Sequence, residues 1–302
     1  MNSQLLSIFV NVITPVFALV AIGWIAGPRL ELQARSLSRA AYYLFIPAFV
    51  FSTLSNATIE AELAIRMIGY ATIVHVVVAI VGFAVAKFLG KSPKMVGAYT
   101  LLAVFGNVGN FGFPIIQFHF GESALEAATV YFLAIMVISF VIGVLAANLH
   151  KGGRVTAILE VFKTPALLAA VPAIAVNWID LPIPIMVDRI MSLLGQAMVP
   201  VMLVALGVQL AGTKSLRLET DTVITSVIRL IVSPALAILL VGFFGLSGIE
   251  RGAGIMQAAM PAAVLTSIIA LEYDLLPDFV TRTVLFSTLA SVVTLTLLLG
   301  LI

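Results

Sequence analysis

Three side-chain amides are the groups in this sequence best suited to hold a small polar ligand. Asn107 and Asn110 lie in GNVGNFGFPI, residues 106–115, and Gln257 lies in GIMQAAMP, residues 254–261. An amide both donates and accepts hydrogen bonds, so it can bind a carboxylate without adding a fixed charge to apolar surroundings. We therefore expect these three amides to line a neutral substrate site, which need not contain an arginine.

Strong helix breakers accompany the amides in both stretches. Glycines weaken a helical turn, and a proline removes one backbone hydrogen bond and clashes with the carbonyl four residues back. We predict helix breaks near residues 107–113 and 257–260, and the breaking residues are Gly109, Gly112, Pro114 and Pro261. Half-helices that start at the breaks would direct N–H groups and a positive dipole end toward a bound anion. Close packing of small residues is the alternative, but it does not explain the amides.

The composition indicates that the elements around these breaks lie in a lipid membrane. Of 302 residues, 62% are hydrophobic and only 10% are charged, whereas a soluble domain carries about 25% charged residues. The net charge of +2 and the lack of a Lys/Arg cluster give no indication of nucleic-acid binding. The absence of cysteine excludes disulfides and Cys-ligated metals. The apolar N-terminus lacks a basic leader, so we expect a retained span.

Apolar runs separated by charges and turn residues predict ten membrane-spanning helices of about 20 residues or more. The runs are 4–26, 34–55, 64–89, 95–119, 123–148, 160–179, 185–211, 222–246, 251–272 and 278–301. Loops rich in Lys and Arg face the cytoplasm. Here the basic residues of the loops divide twelve to three between the two sides of the membrane. One side holds Arg29, Arg35, Arg39, Lys87, Lys91, Lys94, Lys151, Arg154, Lys163, Lys214, Arg217 and Arg282, and the other holds Arg66, Arg189 and Arg251. The sequence thus predicts a multi-pass protein of the cell inner membrane with both termini outside the cytoplasm.

The prolines indicate an internal repeat. They match as Pro15 with Pro172, Pro47 with Pro200 and Pro114 with Pro261, each pair about half the chain apart. Two units of five spans, 1–150 and 151–302, would enter the membrane from opposite sides because five is odd. The predicted fold is therefore an all-α polytopic membrane protein of two inverted five-helix repeats, with helices 4 and 9 broken and crossing. Because proline is common in membrane helices, chance matches are the alternative.

His75 and Arg229 lie deep inside predicted spans, where ionisable residues are costly and usually functional. His75 would relay protons or act as a neutral donor to a neighbouring carbonyl. Arg229 would attract an anion or extend to the membrane interface. Catalytic and nucleotide-binding motifs are absent, and the three histidines lie on separate predicted elements. We therefore expect no enzyme activity, no metal and no cofactor.

The sequence resembles the auxin efflux carrier family, which is grouped with the bile acid-type transporters. GNVGNFGFPI is similar to the family's span-4 motif, an Asn seven residues before the proline of a Gly-x-Pro. MQAAMP and ALEYDL, residues 256–261 and 270–275, resemble the equivalent span-9 segment. The C-terminal span is also similar, so the resemblance covers the whole chain.

The resemblance implies a fold, a substrate class and an assembly. Asn107 would take the place of the substrate-contacting Asn and Pro114 that of the crossover proline. Spans 1, 2, 6 and 7 would form a scaffold, and spans 3–5 and 8–10 a transport domain that moves in an elevator-type alternating-access mechanism. The implied substrate is a small organic anion such as auxin or malate, and the implied assembly is a homodimer. A membrane-embedded ligand sensor that keeps the transporter fold is the alternative function.

Overall fold

The structure is a computed structural model that describes residues 2–58, 60–148, 163–212 and 219–302. Within this part of the chain every regular element is a helix. The predicted all-helical class is therefore confirmed. The predicted boundary between the repeats, at residues 150 and 151, lies outside the described residues.

Fifteen α-helices occur in the described part of the chain. They are α1 (Asn2–Ile8), α2 (Thr14–Arg29), α3 (Ala34–Ala40), α4 (Ile46–Ser55), α5 (Ala61–Phe88), α6 (Pro93–Val104), α7 (Phe113–Phe120), α8 (Ala124–Asn148), α9 (Pro165–Trp178), α10 (Ile185–Ala211), α11 (Thr220–Val227), α12 (Ser233–Val241), α13 (Gly248–Ala259), α14 (Leu265–Glu272) and α15 (Pro277–Leu299). π-Helical turns cover Phe9–Ile13, Ala41–Phe45, Val108–Gly112 and Ile228–Val232, and a 3₁₀ turn covers Gly242–Phe244. Most of these turns join neighbouring α-helices into longer ones.

Seven helices among the described residues are long and apolar enough to cross a membrane. They run over Gln4–Arg29, Ala34–Ser55, Ala61–Phe88, Ala124–Gly143, Ile185–Ala211, Thr220–Phe244 and Pro277–Leu299. The apolar helix α9 is shorter, and predicted spans 4 and 9 occur as the helix pairs α6–α7 and α13–α14. The chain is therefore a helical, multi-pass membrane protein.

Each π-helical turn ends two residues before a proline, namely Pro15, Pro47, Pro114 or Pro234. A proline has no N–H to continue the helix. The residue before it bonds back five positions instead, as in the bond from Phe113 N to Val108 O, and this widens the turn. Pro172 and Pro200, by contrast, lie inside the continuous helices α9 and α10. Prolines that the sequence pairs therefore differ in local geometry.

The first helix break lies earlier than the sequence predicted. α6 ends at Val104, and the chain is irregular only over residues 105–107 before the π-helical turn begins. Most of the stretch expected to be broken is helical, because the N–H groups of Phe111 and Gly112 bond to the carbonyl of Asn107. Pro114 lies in the first turn of α7, but the π-helical turn that begins at Val108 already belongs to the second half of this span.

The second helix break lies between α13 and α14, over residues 260–264. Pro261 is therefore inside the break, and the predicted break at residues 257–260 is wrong except at Met260, because α13 stays helical through Ala259. Extended backbone at Met260, with φ −60° and ψ 143°, ends α13. This conformation is the one that the residue before a proline favours.

The helices pack as two groups. In the first group α10 contacts α2 and α4, and α4 contacts α9. In the second group α5, α6 and α8 contact one another, and α13 contacts α8, α12 and α5. The second group contains both helix breaks and most of the largest fully buried side chains, including Tyr70, Tyr99, Tyr131 and Phe113. It therefore has a packed interior that can hold the breaks in place.

Candidate substrate site at two helix breaks

The two helix breaks bond directly to each other. Asn107 N donates to Pro261 O at 2.8 Å, and Ala263 N donates to Phe105 O at 2.9 Å. Between these bonds Gly106 and Ala262 form an isolated antiparallel bridge. Backbone groups released by one break are thus satisfied by the other, as a membrane interior requires.

Three serines satisfy further backbone groups at the breaks. Ser139 Oγ donates to Val104 O at 3.1 Å, and Ser233 Oγ donates to Ala258 O at 2.7 Å. The hydroxyl of Ser287 accepts a bond from Ala262 N at 3.2 Å. No pattern in the sequence marks Ser139 or Ser287, whereas the Ser-Pro pair at 233–234 is a signal for Ser233.

Arg229 is buried at the junction of the two breaks. The predicted alternative of an arginine that extends to the membrane interface is wrong, because the residue is only 1% exposed. Its Nη1 donates to Ala103 O at 3.0 Å, and its Nε donates to Met260 O at 2.8 Å. These two carbonyls belong to the ends of α6 and α13. A fixed cation therefore lies beside a site that we expected to be neutral.

One N–H group of the guanidinium lies against Gly106. A Cβ atom at this glycine would come within 2.1 Å of Arg229 Nη2, so the close approach requires glycine. Nη2 is buried and has no hydrogen-bond partner in the described part of the chain. Gly106 is part of a cavity wall, and the arginine therefore places positive charge directly behind that wall.

A cavity of about 1430 Å³ reaches the first break. At one end it is lined by Arg35, Gly212 and Pro277, which lie at helix ends in loops predicted to face the cytoplasm. At the other end it is lined by residues 105–110 and 263–265 of the two breaks. The cavity therefore connects the predicted cytoplasmic face with the candidate site.

Two of the three predicted amides line this cavity. Asn107 is 4% exposed, and its Nδ2 is buried with no partner among the residues that the structure describes. Asn110, three residues further along the π-helical turn, is half-buried in the same wall. Both amides can donate hydrogen bonds to a ligand in the cavity.

The third amide, Gln257, is not part of the cavity wall. It is fully buried, and its Nε2 donates to Ala128 O of α8 at 3.2 Å. Its Oε1 has no partner in the described ranges, and it lies so close to Gly112 that a Cβ there would approach within 2.2 Å. The structure therefore separates Gln257 from the two asparagines. Gly112 provides room for the glutamine, while Gly109 lines the cavity.

His75 is also buried away from the cavity wall. Its Nδ1 lies 3.0 Å from the carbonyl of Ala71 on the same helix and 3.3 Å from the hydroxyl of Tyr131. This geometry fits the predicted neutral donor to a neighbouring carbonyl. Its Nε2 has no partner within the described residues.

Basic residues surround the outer end of the cavity. Arg35, Arg39 and Arg282 are part of its wall. Arg282 forms an ion pair with Glu219 at 2.9 Å, and no ion pair of the other two is found among the described residues. A basic entrance raises the local concentration of anions.

An all-helical, multi-pass fold with two broken helices joined beside a cavity is typical of membrane carriers. A family profile described as "Membrane transport protein" matches residues 8–299 of the chain. The chain belongs to this family of membrane transporters, the auxin efflux carrier family. The resemblance seen in the sequence is thus confirmed.

Three relatives align with nearly the whole chain. An uncharacterized transporter of Methanocaldococcus jannaschii is 25% identical over 95% of this chain and 96% of its own length. The uncharacterized transporter YfdV of Escherichia coli is 26% identical over 96% of each chain. A putative malonate transporter of Rhizobium meliloti is 23% identical over 97% of this chain and 95% of its own length. All three names describe transporters.

Proposed function

We propose that this chain is a secondary carrier of a small organic anion, a carboxylate of the auxin or malate type. The observation that carries the proposal is the amide of Asn107, a residue of the cavity wall whose buried Nδ2 has no partner among the described residues. An unsatisfied buried donor costs free energy, and a carboxylate oxygen would satisfy it. The basic cavity entrance and the relative named as a putative malonate transporter support the same substrate class.

We further propose ten spans in two inverted repeats, 1–150 and 151–302. Seven spans, the shorter α9 and the two broken helices α6–α7 and α13–α14 together make ten. The first packing group, α2, α4, α9 and α10, corresponds to the proposed scaffold, and the second group corresponds to the proposed transport domain. Elevator-type alternating access would move the second group against the first. The homodimer stays a prediction.

The proposed orientation is testable because the chain has no cysteine. With both termini outside the cytoplasm, the variant Asn2→Cys should react with a membrane-impermeant maleimide on intact cells. In this orientation the cavity opens to the cytoplasm. Reaction only after lysis would contradict the orientation and reverse the direction in which the cavity opens.

Counterflow tests the function itself. Proteoliposomes loaded with unlabelled malonate, malate or indole-3-acetate should accumulate the labelled form of at least one of them. A membrane sensor would bind the anion without exchange, so thermal stabilisation by the anion together with absent counterflow would reject the carrier. Failure of all three anions to bind or exchange would reject the substrate class.

A further inference from the structure

We propose that the guanidinium of Arg229 takes the place of a bound metal cation at the two helix breaks. The candidate site would then be organised by a cation that belongs to the chain. This inference goes beyond the proposed function, which does not specify how transport is coupled. It depends on the geometry of the breaks and requires no particular substrate.

The carbonyls that Arg229 contacts are those that a coupling cation would contact. In carriers with broken helices, carbonyls of unwound backbone and of half-helix C-terminal ends coordinate the coupling cation. Ala103 O lies in the last turn of α6, and Met260 O directly follows α13. The Ala103 carbonyl is released because Asn107 N, its normal helical partner, bonds to Pro261 O. Arg229 donates to both carbonyls at 3.0 and 2.8 Å.

The charges at this junction balance without a carboxylate. A helix C-terminus carries roughly half a negative charge, so the ends of α6 and α13 together carry about one. None of the ion pairs between described residues includes Arg229. The single guanidinium charge therefore has two helix dipoles as its counter-charge. An arginine suits this position because its planar fork can donate to two carbonyls at once.

The surroundings fit a guanidinium closely. Nη2 lies so close to Gly106 that residue 106 has no room for a Cβ. On the other side, Ser233, one helical turn after Arg229, lies 3.5 Å from Nη1. Arg229 is 1% exposed, so ions from the solvent have little access to the two carbonyls through its position. The Nη2 group has no partner among the described residues and lies beside Gly106, which is part of the cavity wall. The same cation that joins the breaks therefore also provides the positive potential behind the site.

Thermal unfolding of the purified protein tests the inference without any substrate. The melting temperature of the parent protein should be the same in sodium, potassium and choline chloride at equal ionic strength. Arg229→Ala should melt at a lower temperature because the two carbonyls lose their donor. Millimolar guanidinium chloride should restore part of this loss, whereas equimolar urea, which has a similar shape but no charge, should not.

A matched control is Arg66→Ala. Arg66 is exposed and forms an ion pair with Glu62 on the same helix turn, so this variant should neither lose stability nor respond to guanidinium. If guanidinium stabilised both variants equally, the rescue would be unspecific and the proposed role of Arg229 would be rejected.

Two further results would overturn the proposal. One is a saturable stabilisation of the parent protein by sodium or potassium relative to choline, which would reveal a separate metal site. The other comes from Arg229→Lys and Arg229→Met, which remain informative if Arg229→Ala does not accumulate. The lysine variant should retain more of the parent stability than the methionine variant, and the reverse order would exclude a need for a cation. Failure of these tests would leave the carboxylate-transport proposal untouched.

Discussion

Asn107 and Gln257 carry the same amide group, yet their neighbours give them different roles. Asn107 belongs to the cavity wall, and its buried Nδ2 has no partner among the described residues. Gln257 donates to α8 and packs against a glycine. Amide chemistry alone therefore does not define a binding residue, because the partner of each amide determines whether it can contact a ligand.

Asn107→Ala should weaken carboxylate binding while the protein remains folded. A hydrogen bond to a charged group contributes about 1.5–3 kcal/mol, which corresponds to roughly a 10- to 150-fold loss of affinity. Affinity can be measured by counterflow or by ligand-dependent melting temperature, with Asn11→Ala, an exposed amide, as the control. Parent-like affinity combined with a lower melting temperature would identify Asn107 as a structural residue.

Gln257→Ala should show the opposite pattern. The variant loses the hydrogen bond to Ala128 O and leaves a void where the longer side chain was. Together these effects should cost about 1–3 kcal/mol of stability. Affinity for the anion should change little, since Gln257 is outside the cavity wall. Melting temperature and counterflow, compared with the exposed control Gln196→Ala, distinguish the two effects. A large loss of affinity at unchanged stability would instead show that Gln257 contacts the anion.

At the scale of elements, the helix breaks are stable because their released backbone groups have partners in other helices. Carbonyls at the ends of α6 and α13 bond to Ser139 of α8 and to Arg229 and Ser233 of the helix Thr220–Phe244. Irregular backbone at membrane depth is tolerated only where protein or a water-filled cavity covers it. The glycines near the breaks serve this packing in different ways.

Gly106→Ala and Gly109→Ala should therefore differ. A Cβ at Gly106 would lie 2.1 Å from Arg229 Nη2, whereas the nearest atoms to a Cβ at Gly109 are 3.4 and 3.5 Å away, an ordinary contact. Overpacking of this kind costs about 1–3 kcal/mol, so only Gly106→Ala should clearly lower the melting temperature. Equal stability of the two variants would mean that the guanidinium can move away without cost.

At the scale of the whole molecule, aromatic contacts mark where the two packing groups meet. Phe17 of α2 lies 5.2 Å from Phe111, and Phe49 of α4 lies 4.8 Å from Phe113, measured between ring centroids. An elevator movement would have to break such contacts. The large cavity lies along the same boundary, since its wall includes residues of α10 and of both breaks.

The double variant Phe17→Cys and Phe111→Cys should lose counterflow when the cysteines are cross-linked, and reduction should restore it. A matched pair within the proposed scaffold is Ser38→Cys and Gln209→Cys, whose parent side chains lie 2.9 Å apart. Cross-linking this pair should leave counterflow largely intact. Undiminished counterflow in the cross-linked first variant would reject movement of one group against the other.

Local features of the sequence determined the helical membrane class and the presence of two breaks. Apolar composition requires lipid surroundings, and a proline lacks its N–H in any fold, so both conclusions follow without knowledge of tertiary contacts. The choice of Asn107 followed from the same local chemistry and from the family motif. The exact positions nevertheless differ from the prediction, since the first break covers residues 105–107 and Pro261 lies inside the second.

Only the tertiary structure decided which groups meet at the breaks. Arg229 contacts carbonyls that lie 126 and 31 residues away in the chain, and Gln257 contacts one that lies 129 residues away. No sequence period relates residues so far apart, because their distance depends on how the helices pack. A charged side chain in an apolar span predicts function but does not specify its partners. The fixed cation beside the candidate site is therefore a property of the fold, produced by helices that bring two C-terminal ends to one guanidinium.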